Sequence, residues 1–95
     1  MKISIIGLGF VGLSFAAVLG SKNYSVLGID NDTHKILKIK KNEIPFYEPK
    51  LKKFLNSAQK KSLTVSNDLG LAVRSSDLIF ITVSTPSLPT GEINL

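Results

Sequence analysis

Residues 2–13 read KISIIGLGFVGL, a β-branched run that meets three glycines at the spacing G-x-G-x-x-G. Residues 2–6, bounded by Gly7, predict a strand buried on both faces, the kind found in parallel sheets. Residues 10–21 then predict a helix. Its apolar stripe consists of Val11, Phe15, Val18 and Leu19, beside the small side chains of Ala16 and Ala17. The stretch therefore predicts a strand, a glycine turn and a helix in direct succession.

The rest of the chain alternates between strand and helix patterns. Further strands are predicted at residues 24–29, 63–65 and 77–83. Helices are predicted from a cap at Asp30-Asn31-Asp32 through Lys41, around the apolar face Leu51, Phe54, Leu55 and Ala58, and from a cap at Asn67 through Arg74. Such alternation favours parallel pairing through right-handed crossovers. We therefore predict an α/β protein with a Rossmann-like, doubly wound parallel sheet of four strands in the order 3-2-1-4, incomplete at the strand 4 edge.

Each glycine of the turn has a physical role in binding a dinucleotide. Gly7 permits the tight turn, Gly9 lets the backbone approach a pyrophosphate, and Gly12 lets the helix pack closely on the sheet. The backbone N–H groups of Phe10 and Val11, at the positive end of the helix dipole, are expected to meet the phosphate charge. The turn is therefore a candidate cofactor-binding site.

Asp30 closes the second predicted strand, eighteen positions after the last glycine of the turn, close to the interval expected for a ribose-binding carboxylate. Its carboxylate is expected to accept hydrogen bonds from the adenosine ribose and to repel the extra phosphate of NADP, which favours NAD as the cofactor. Asp30 as a plain N-cap, the glycines as a purely structural turn, and FAD as the dinucleotide remain open. Asn31 or Asp32 can do the capping, which favours the ribose role.

Two further segments are candidates for the same site. Ser84-Thr85-Pro86 follows the fourth predicted strand, and the predicted topology leads us to expect it to face the glycine turn across the switch point, where ligands bind in such sheets. Pro86 biases Thr85 towards an extended backbone that directs its polar groups into the crevice; a simple strand-ending turn is the alternative. Lys35 is close enough to Asp30 to reach the adenosine ribose, and a solvent-exposed lysine is equally compatible with the pattern. His34 is assigned to solvent.

Composition excludes several classes of function. The 95 residues contain no cysteine and one histidine, which leaves no thiolate catalysis, disulfide or cysteine–zinc site, and we expect neither a catalytic residue nor a metal ligand within the chain. The net charge of +5 comes from eleven lysines and one arginine against seven acidic residues. Nine lysines fall between residues 35 and 61 on the polar side of the predicted helices, a pattern typical of a solvated helix face, so nucleic acid is not an expected partner.

The uncharged run at residues 3–20 imitates a signal peptide or a short membrane span. Glycines interrupt it at fixed spacing, which weakens a continuous apolar helix and suits a strand, a turn and a buried helix. We therefore expect a cytoplasmic protein without a membrane partner.

Four motifs in order resemble the NAD-binding domain of the UDP-glucose/GDP-mannose dehydrogenase family. Residues 7–13 (GLGFVGL) are similar to its G-x-G-[YF]-V-G-L, and residues 26–30 (VLGID) to its V-x-G-x-D. Residues 45–49 (PFYEP) are similar to P-[IF]-x-E-P, and residues 83–87 (VSTPS) to V-x-T-P-[ST]. Lys50 and Asn42 stand where that family commonly has glycine, and Asn94 where it has aspartate.

This resemblance implies the NAD-dependent oxidation of a nucleotide sugar, in which a C6 alcohol becomes a carboxylate through two hydride transfers. It carries NAD contacts onto Val11, Asp30, Lys35 and Thr85. Members of that family continue well beyond this length, with a catalytic cysteine and the sugar-binding residues in domains that are absent here. Residues 1–95 are thus expected to be the N-terminal part of the cofactor domain of a homo-oligomeric enzyme, unable to turn over alone. A free-standing dinucleotide-binding module is the alternative.

Overall fold

Four strands and four helices make up the part of the chain that the computed structural model describes, residues 1–44 and 48–82. The strands are β1 (Lys2–Ile6), β2 (Ser25–Ile29), β3 (Leu63–Ser66) and β4 (Leu78–Ile81). The helices are α1 (Phe10–Ser21), α2 (Thr33–Lys40), α3 (Pro49–Lys61) and α4 (Leu69–Ser75). No helix in this part of the chain is long and apolar enough to cross a membrane.

The strands form one parallel sheet in the order β3-β2-β1-β4, which confirms the predicted Rossmann-like topology. In register, Ile3 of β1 lies opposite Val26 of β2 and Leu78 of β4. Within the described residues, β4 pairs with β1 alone and is an edge strand, as predicted. Parallel strands bring all their carboxyl ends to the same edge of the sheet, and that edge receives the glycine turn.

β1 is buried on both faces, as its continuous apolar run predicts. Ile3 and Ile5 belong to the main core, and Ser4 between them is fully buried as well. The Ser4 hydroxyl shares a hydrogen bond with that of Ser76, so the buried polar group is satisfied.

Helix α1 packs through its small residues, so the predicted stripe of large side chains is wrong for its outer members. Val11 is 68% exposed and Phe15 is 36% exposed. The buried residues of the helix are Gly12, Leu13, Ala16, Ala17 and Gly20. A Cβ added at Gly20 would lie 2.7 Å from the Cβ of Ala58 in α3, so the two helices meet where only small groups fit. Phe15 instead packs edge to face on Phe80 of β4, with ring centroids 5.0 Å apart.

Helix α3 buries Leu51, Leu55 and Ala58 as predicted, whereas the remaining member of the predicted face, Phe54, is 44% exposed. The helix begins at Pro49, and the carboxylate of Glu48 accepts a hydrogen bond from the backbone N–H of Lys50. Lys50 is therefore compatible with the helix start, although glycine is usual at this position in the family that the sequence resembles.

The chain enters this region through Asn42, whose φ of 61° lies in the left-handed region that asparagine tolerates. The motif residues Pro45, Phe46 and Tyr47 lie outside the described residues.

Several predicted boundaries change because neighbouring polar residues compete for each cap. α4 is capped by Asp68, not by the predicted Asn67, since Asp68 accepts the bond from the Leu71 N–H; the helix ends one residue later than predicted. α2 is capped by Asp32 and ends one residue earlier, with Lys41 as its C-cap. β2 and β4 each begin one residue later than predicted.

Candidate functional site

A cleft of about 390 Å³ opens at the carboxyl ends of the strands, within the range of small-molecule sites. Each strand contributes through the residues that follow it. The polar and glycine lining consists of Gly7, Gly9, Asp30, Asn31, Lys35, Asn67 and Thr82, with Ile6, Leu8, Ile29 and Leu69 as its apolar part. Residues that are far apart in the sequence, from the first turn to the end of β4, thus meet at the predicted switch point.

The glycine turn has the geometry that its spacing predicts. Gly7 has a φ of 98°, in the left-handed region, and its N–H donates a 2.7 Å hydrogen bond to the carbonyl of Ile29. Gly9 is the N-cap of α1, so the capping residue itself places no side chain over the helix start, and the first turn carries no acidic residue. The amino end of α1 therefore presents backbone N–H groups and the positive end of a helix dipole at the cleft.

Gly12 is required for close packing rather than for lining the cleft. A Cβ built there would lie 1.9 Å from the carbonyl oxygen of Gly7 and 2.3 Å from Oγ1 of Thr82. Any larger residue would push α1 away from the turn, which agrees with the role predicted for this glycine.

Thr82 connects β4 to the glycine turn. Its hydroxyl donates a 2.6 Å hydrogen bond to the carbonyl of Gly7, and its N–H donates a 2.8 Å bond to the carbonyl of Ile6. The first bond satisfies a carbonyl in a turn that Gly7 holds in an unusual conformation.

Asp30 is 9% exposed, and its carboxylate faces the turn across the cleft. Its Oδ2 accepts a 2.9 Å hydrogen bond from the backbone N–H of Leu8, and its Oδ1 accepts one of 2.9 Å from the N–H of Asp32. Asp30 is therefore not the N-cap of α2, whose Lys35 N–H donates to Asp32 instead. The open alternative of a plain capping role is contradicted by this geometry.

Lys35 lies beside the carboxylate. Its Nζ is 3.2 Å from Oδ2 of Asp30, and its side chain is only 26% exposed. The alternative of a solvent-exposed lysine is therefore wrong, because the ion pair draws the stem over the cleft. His34, next to it, is exposed, as expected.

The pKa of the Asp30 carboxyl lies below its ordinary value. Burial alone raises this pKa, but the hydrogen bonds from the backbone N–H groups of Asp32 and Leu8, together with the neighbouring Lys35 ammonium, outweigh it. The carboxylate is thus charged at neutral pH and able to accept hydroxyl donors.

The structure brings most of the predicted site residues together. Gly7, Gly9, Asp30 and Lys35 line the cleft. Phe10 and Val11 form the first turn of α1, with their side chains exposed, and Gly12 packs beneath the turn. Ser84, Thr85 and Pro86 lie outside the described residues, so their place in the site stays a prediction.

Sequence reasoning did not identify Leu8, Asn67 or Thr82 as site residues. Asn67 and Thr82 each directly follow a strand, so the rule that ligands bind at the carboxyl ends of parallel strands could have found them. Leu8 acts through its backbone N–H while its side chain is fully buried, and no side-chain pattern reveals that bond.

Two other cavities lack the combination of a glycine turn, a helix start and a buried carboxylate. One of about 190 Å³ lies at the amino ends of the strands and is lined mainly by hydroxyl and apolar side chains. One of about 500 Å³ lies beside the start of α3 and is lined by asparagines and lysines. The described residues contain no group of three or more His, Cys, Asp or Glu side chains that could hold a metal ion.

Comparison with known proteins gives a consistent result. Residues 1–95 match the model of the UDP-glucose/GDP-mannose dehydrogenase family, NAD binding domain. The UDP-glucose 6-dehydrogenase of Rickettsia conorii is 40% identical over 96 residues, covering 100% of this chain and 22% of that protein. The GDP-mannose 6-dehydrogenase of Pseudomonas aeruginosa is 38% identical, with the same shares covered. The chain thus spans about a fifth of the length of the curated relatives it matches.

Solved structures agree with the sequence matches. A ternary complex of GDP-mannose dehydrogenase from Pseudomonas aeruginosa superposes with a TM-score of 0.86 at 38% identity, over 99% of this chain and 22% of that one. A UDP-glucose dehydrogenase from Pyrobaculum islandicum superposes with a TM-score of 0.85 at 29% identity, over 97% of this chain and 22% of that one.

Proposed function

The chain belongs to the UDP-glucose/GDP-mannose dehydrogenase family, as its NAD-binding domain, and we propose that the cleft at the carboxyl ends of its strands holds the adenosine diphosphate half of NAD. The observation that supports this most directly is the junction of three groups in one cleft. A helix start whose N-cap is a glycine, a glycine turn and a charged, buried carboxylate meet there. These groups are complementary to a pyrophosphate and a ribose diol.

The residue roles follow from this arrangement. Gly7 and Gly9 keep the turn free of side chains, and the backbone of Phe10 and Val11 receives the pyrophosphate at the helix start. Gly12 keeps α1 against the turn, so that the helix dipole is directed at the phosphates.

The adenosine end has its own group of residues. Asp30 accepts hydrogen bonds from the ribose hydroxyls, and its negative charge disfavours a 2′-phosphate, so NAD is preferred to NADP. Lys35 holds the carboxylate from the side of the cleft. The segment Ser84-Thr85-Pro86, which follows β4, contacts the cofactor from the neighbouring strand end. NAD supplies the hydride acceptor of the reaction.

The parent reaction that we propose is the oxidation of the C6 alcohol of a nucleotide sugar to a carboxylate. The names of the relatives, which act on UDP-glucose or GDP-mannose, support this proposal. Residues 1–95 contain no cysteine, so no thiohemiacetal or thioester intermediate can form on them. The chain is thus proposed as the N-terminal part of the cofactor domain, with the sugar bound by other domains of a homo-oligomeric parent.

We place the protein in the cytoplasm. The apolar run at residues 3–20, which imitates a signal peptide, forms β1 and α1 of the central fold instead of a single long helix. Its buried residues pack against the rest of the sheet, which supports this placement.

Cofactor titration tests the proposal. We expect the chain to bind NAD weakly, because the described residues form only the adenosine half of the site. NADP should bind more weakly still, because the Asp30 carboxylate repels its extra phosphate. Amide NMR during a titration with each nucleotide measures both dissociation constants, even when they are millimolar. Shifts centred on Gly9, Val11 and Asp30 support the site, whereas tighter binding of NADP than of NAD contradicts it.

A further inference from the structure

Lys35 is the one cation among the described residues that line the cleft. Its ammonium lies 3.2 Å from Oδ2 of Asp30, and its partly buried stem holds the charge at the same side of the cleft as the carboxylate. A charge at this position acts on any group that approaches Asp30, because the low solvent exposure of the pair weakens screening.

The hydrogen bonds of Asp30 show why this cation matters for a ribose. An ionised carboxylate offers about four acceptor positions. The backbone N–H groups of Leu8 and Asp32 each occupy one, on opposite oxygens, and Lys35 occupies a second position on Oδ2. One position is left on Oδ1, whereas a ribose diol has two hydroxyl donors.

The three donors differ in how easily they can move. The N–H groups of Leu8 and Asp32 belong to the glycine turn and to the N-cap of α2, so their positions are set by the fold. Lys35 reaches the carboxylate on a flexible four-carbon stem. A diol that donates two hydrogen bonds needs the free position and the one that Lys35 holds, so it displaces Lys35, and the ammonium stays next to the ribose.

We infer that Lys35 sets the cofactor selectivity of this site by counteracting Asp30. The carboxylate repels a 2′-phosphate, and the displaced Lys35 ammonium attracts it, so the discrimination against NADP is the difference between two opposing charges. This inference rests on the proposed function, since it concerns the ribose of the same nucleotide. It predicts that the natural chain discriminates less strongly than Asp30 alone would.

The test is to remove the charge of Lys35 and measure both cofactors. We expect Lys35→Gln to raise the ratio of the NADP and NAD dissociation constants by about tenfold, because one charge-assisted contact to the phosphate is lost. Most of this rise should come from weaker NADP binding. Lys35→Arg keeps the charge and can pair with a phosphate through two N–H groups, so its ratio should stay at or below that of the natural chain.

Lys38→Gln is the matched control. Lys38 lies one turn further along α2, is exposed and does not line the cleft, so the variant removes the same net charge without touching Asp30. Its ratio should stay within about twofold of that of the natural chain, since a distant exposed charge is screened. Amide NMR spectra of all variants confirm the fold before titration.

The outcomes separate the inference from the proposed function. A raised ratio in Lys35→Gln, with Lys35→Arg and Lys38→Gln unaffected, supports the inference. NAD binding with an unchanged or lowered ratio in Lys35→Gln overturns the inference and leaves the proposed function standing. Binding of neither nucleotide by the natural chain overturns both.

Discussion

The backbone N–H of Leu8 donates a 2.9 Å hydrogen bond to Oδ2 of Asp30, joining the glycine turn to the residue that follows β2. This bond links the two groups proposed to bind the pyrophosphate and the adenosine ribose. The turn and the carboxylate are therefore held in one fixed relationship before any nucleotide binds. Such preorganisation reduces the ordering cost of binding.

Replacing Asp30 should remove the preference for NAD. In Asp30→Ala the ribose hydroxyls lose their acceptor, so NAD binding should weaken by about tenfold, while NADP loses a repulsive charge and changes less. Titration of both nucleotides measures the change. Asp77→Ala, at the opposite end of the sheet, is the control and should leave both dissociation constants unchanged. An unchanged ratio in Asp30→Ala would exclude Asp30 from the ribose site.

A methyl group at position 12 should destabilise the fold. Gly12→Ala places a Cβ 1.9 Å from the Gly7 carbonyl oxygen, a backbone atom that cannot rotate away, so we expect a loss of about 3 kcal/mol in the free energy of unfolding. Urea denaturation followed by circular dichroism measures it. Gly70→Ala is the control, since its Cβ would meet mainly the end of the Arg74 side chain and the helix gains up to about 1 kcal/mol. Equal midpoints for the two variants would contradict this prediction.

Removing the hydroxyl of Thr82 should weaken the connection between β4 and the turn. Thr82→Val leaves the Gly7 carbonyl without the 2.6 Å bond, and we expect a loss of about 1–2 kcal/mol in the free energy of unfolding. Thr82→Ser retains the hydroxyl and should recover most of the loss. Urea denaturation of both variants checks this, and a Thr82→Ser chain as unstable as Thr82→Val would show that the methyl group matters instead.

Helix capping by Asp32 and ribose binding by Asp30 should be separate roles that mutations can distinguish. Asp32→Ala removes the N-cap of α2 and should cost about 1 kcal/mol in the free energy of unfolding without changing the NAD/NADP ratio. Asn31→Ala is the neighbouring control and should stay within about 0.5 kcal/mol of the natural chain, because Asn31 is exposed and does not cap the helix. A changed nucleotide ratio in Asp32→Ala would assign part of the ribose role to Asp32.

Acid should remove the stability that Asp30 contributes. Its pKa is lower in the folded chain than in the unfolded chain, so the unfolded state binds more protons between the two values. The contribution is therefore fully present above about pH 4, the ordinary pKa of aspartate, and is lost as the pH falls through the folded-state pKa. Urea midpoints of the natural chain and Asp30→Asn between pH 3 and 7 measure it. The difference between the two urea midpoints should shrink towards pH 3. A difference that grows towards pH 3 would contradict the lowered pKa of Asp30.

Patterns in the sequence were enough to predict the strand–turn–helix unit, the strand order and the position of the Asp30 carboxylate after the second strand. The glycine spacing and the β-branched run act over a few residues, so the positions of Gly7, Gly12 and Asp30 in these elements could be predicted without knowledge of the tertiary contacts. The confirmed order β3-β2-β1-β4 follows from the alternation of elements and the handedness of crossovers.

Helix faces and caps were less predictable because they depend on neighbours in space. Val11 and Phe15 satisfy a helical period, yet α1 buries its glycine and alanine side, since α3 approaches there too closely for large residues. Asp68, not Asn67, caps α4, because backbone geometry chooses between adjacent polar side chains.

By itself, the sequence determined the glycine turn, the carboxylate after the second strand and the parallel αβ order, because backbone freedom and periodicity are local properties. Only the tertiary structure decided that Leu8 and Lys35 bind the same oxygen of Asp30 and that Thr82 bonds to Gly7. These contacts join residues on different elements, and their distances are set by how closely the strands and helices pack.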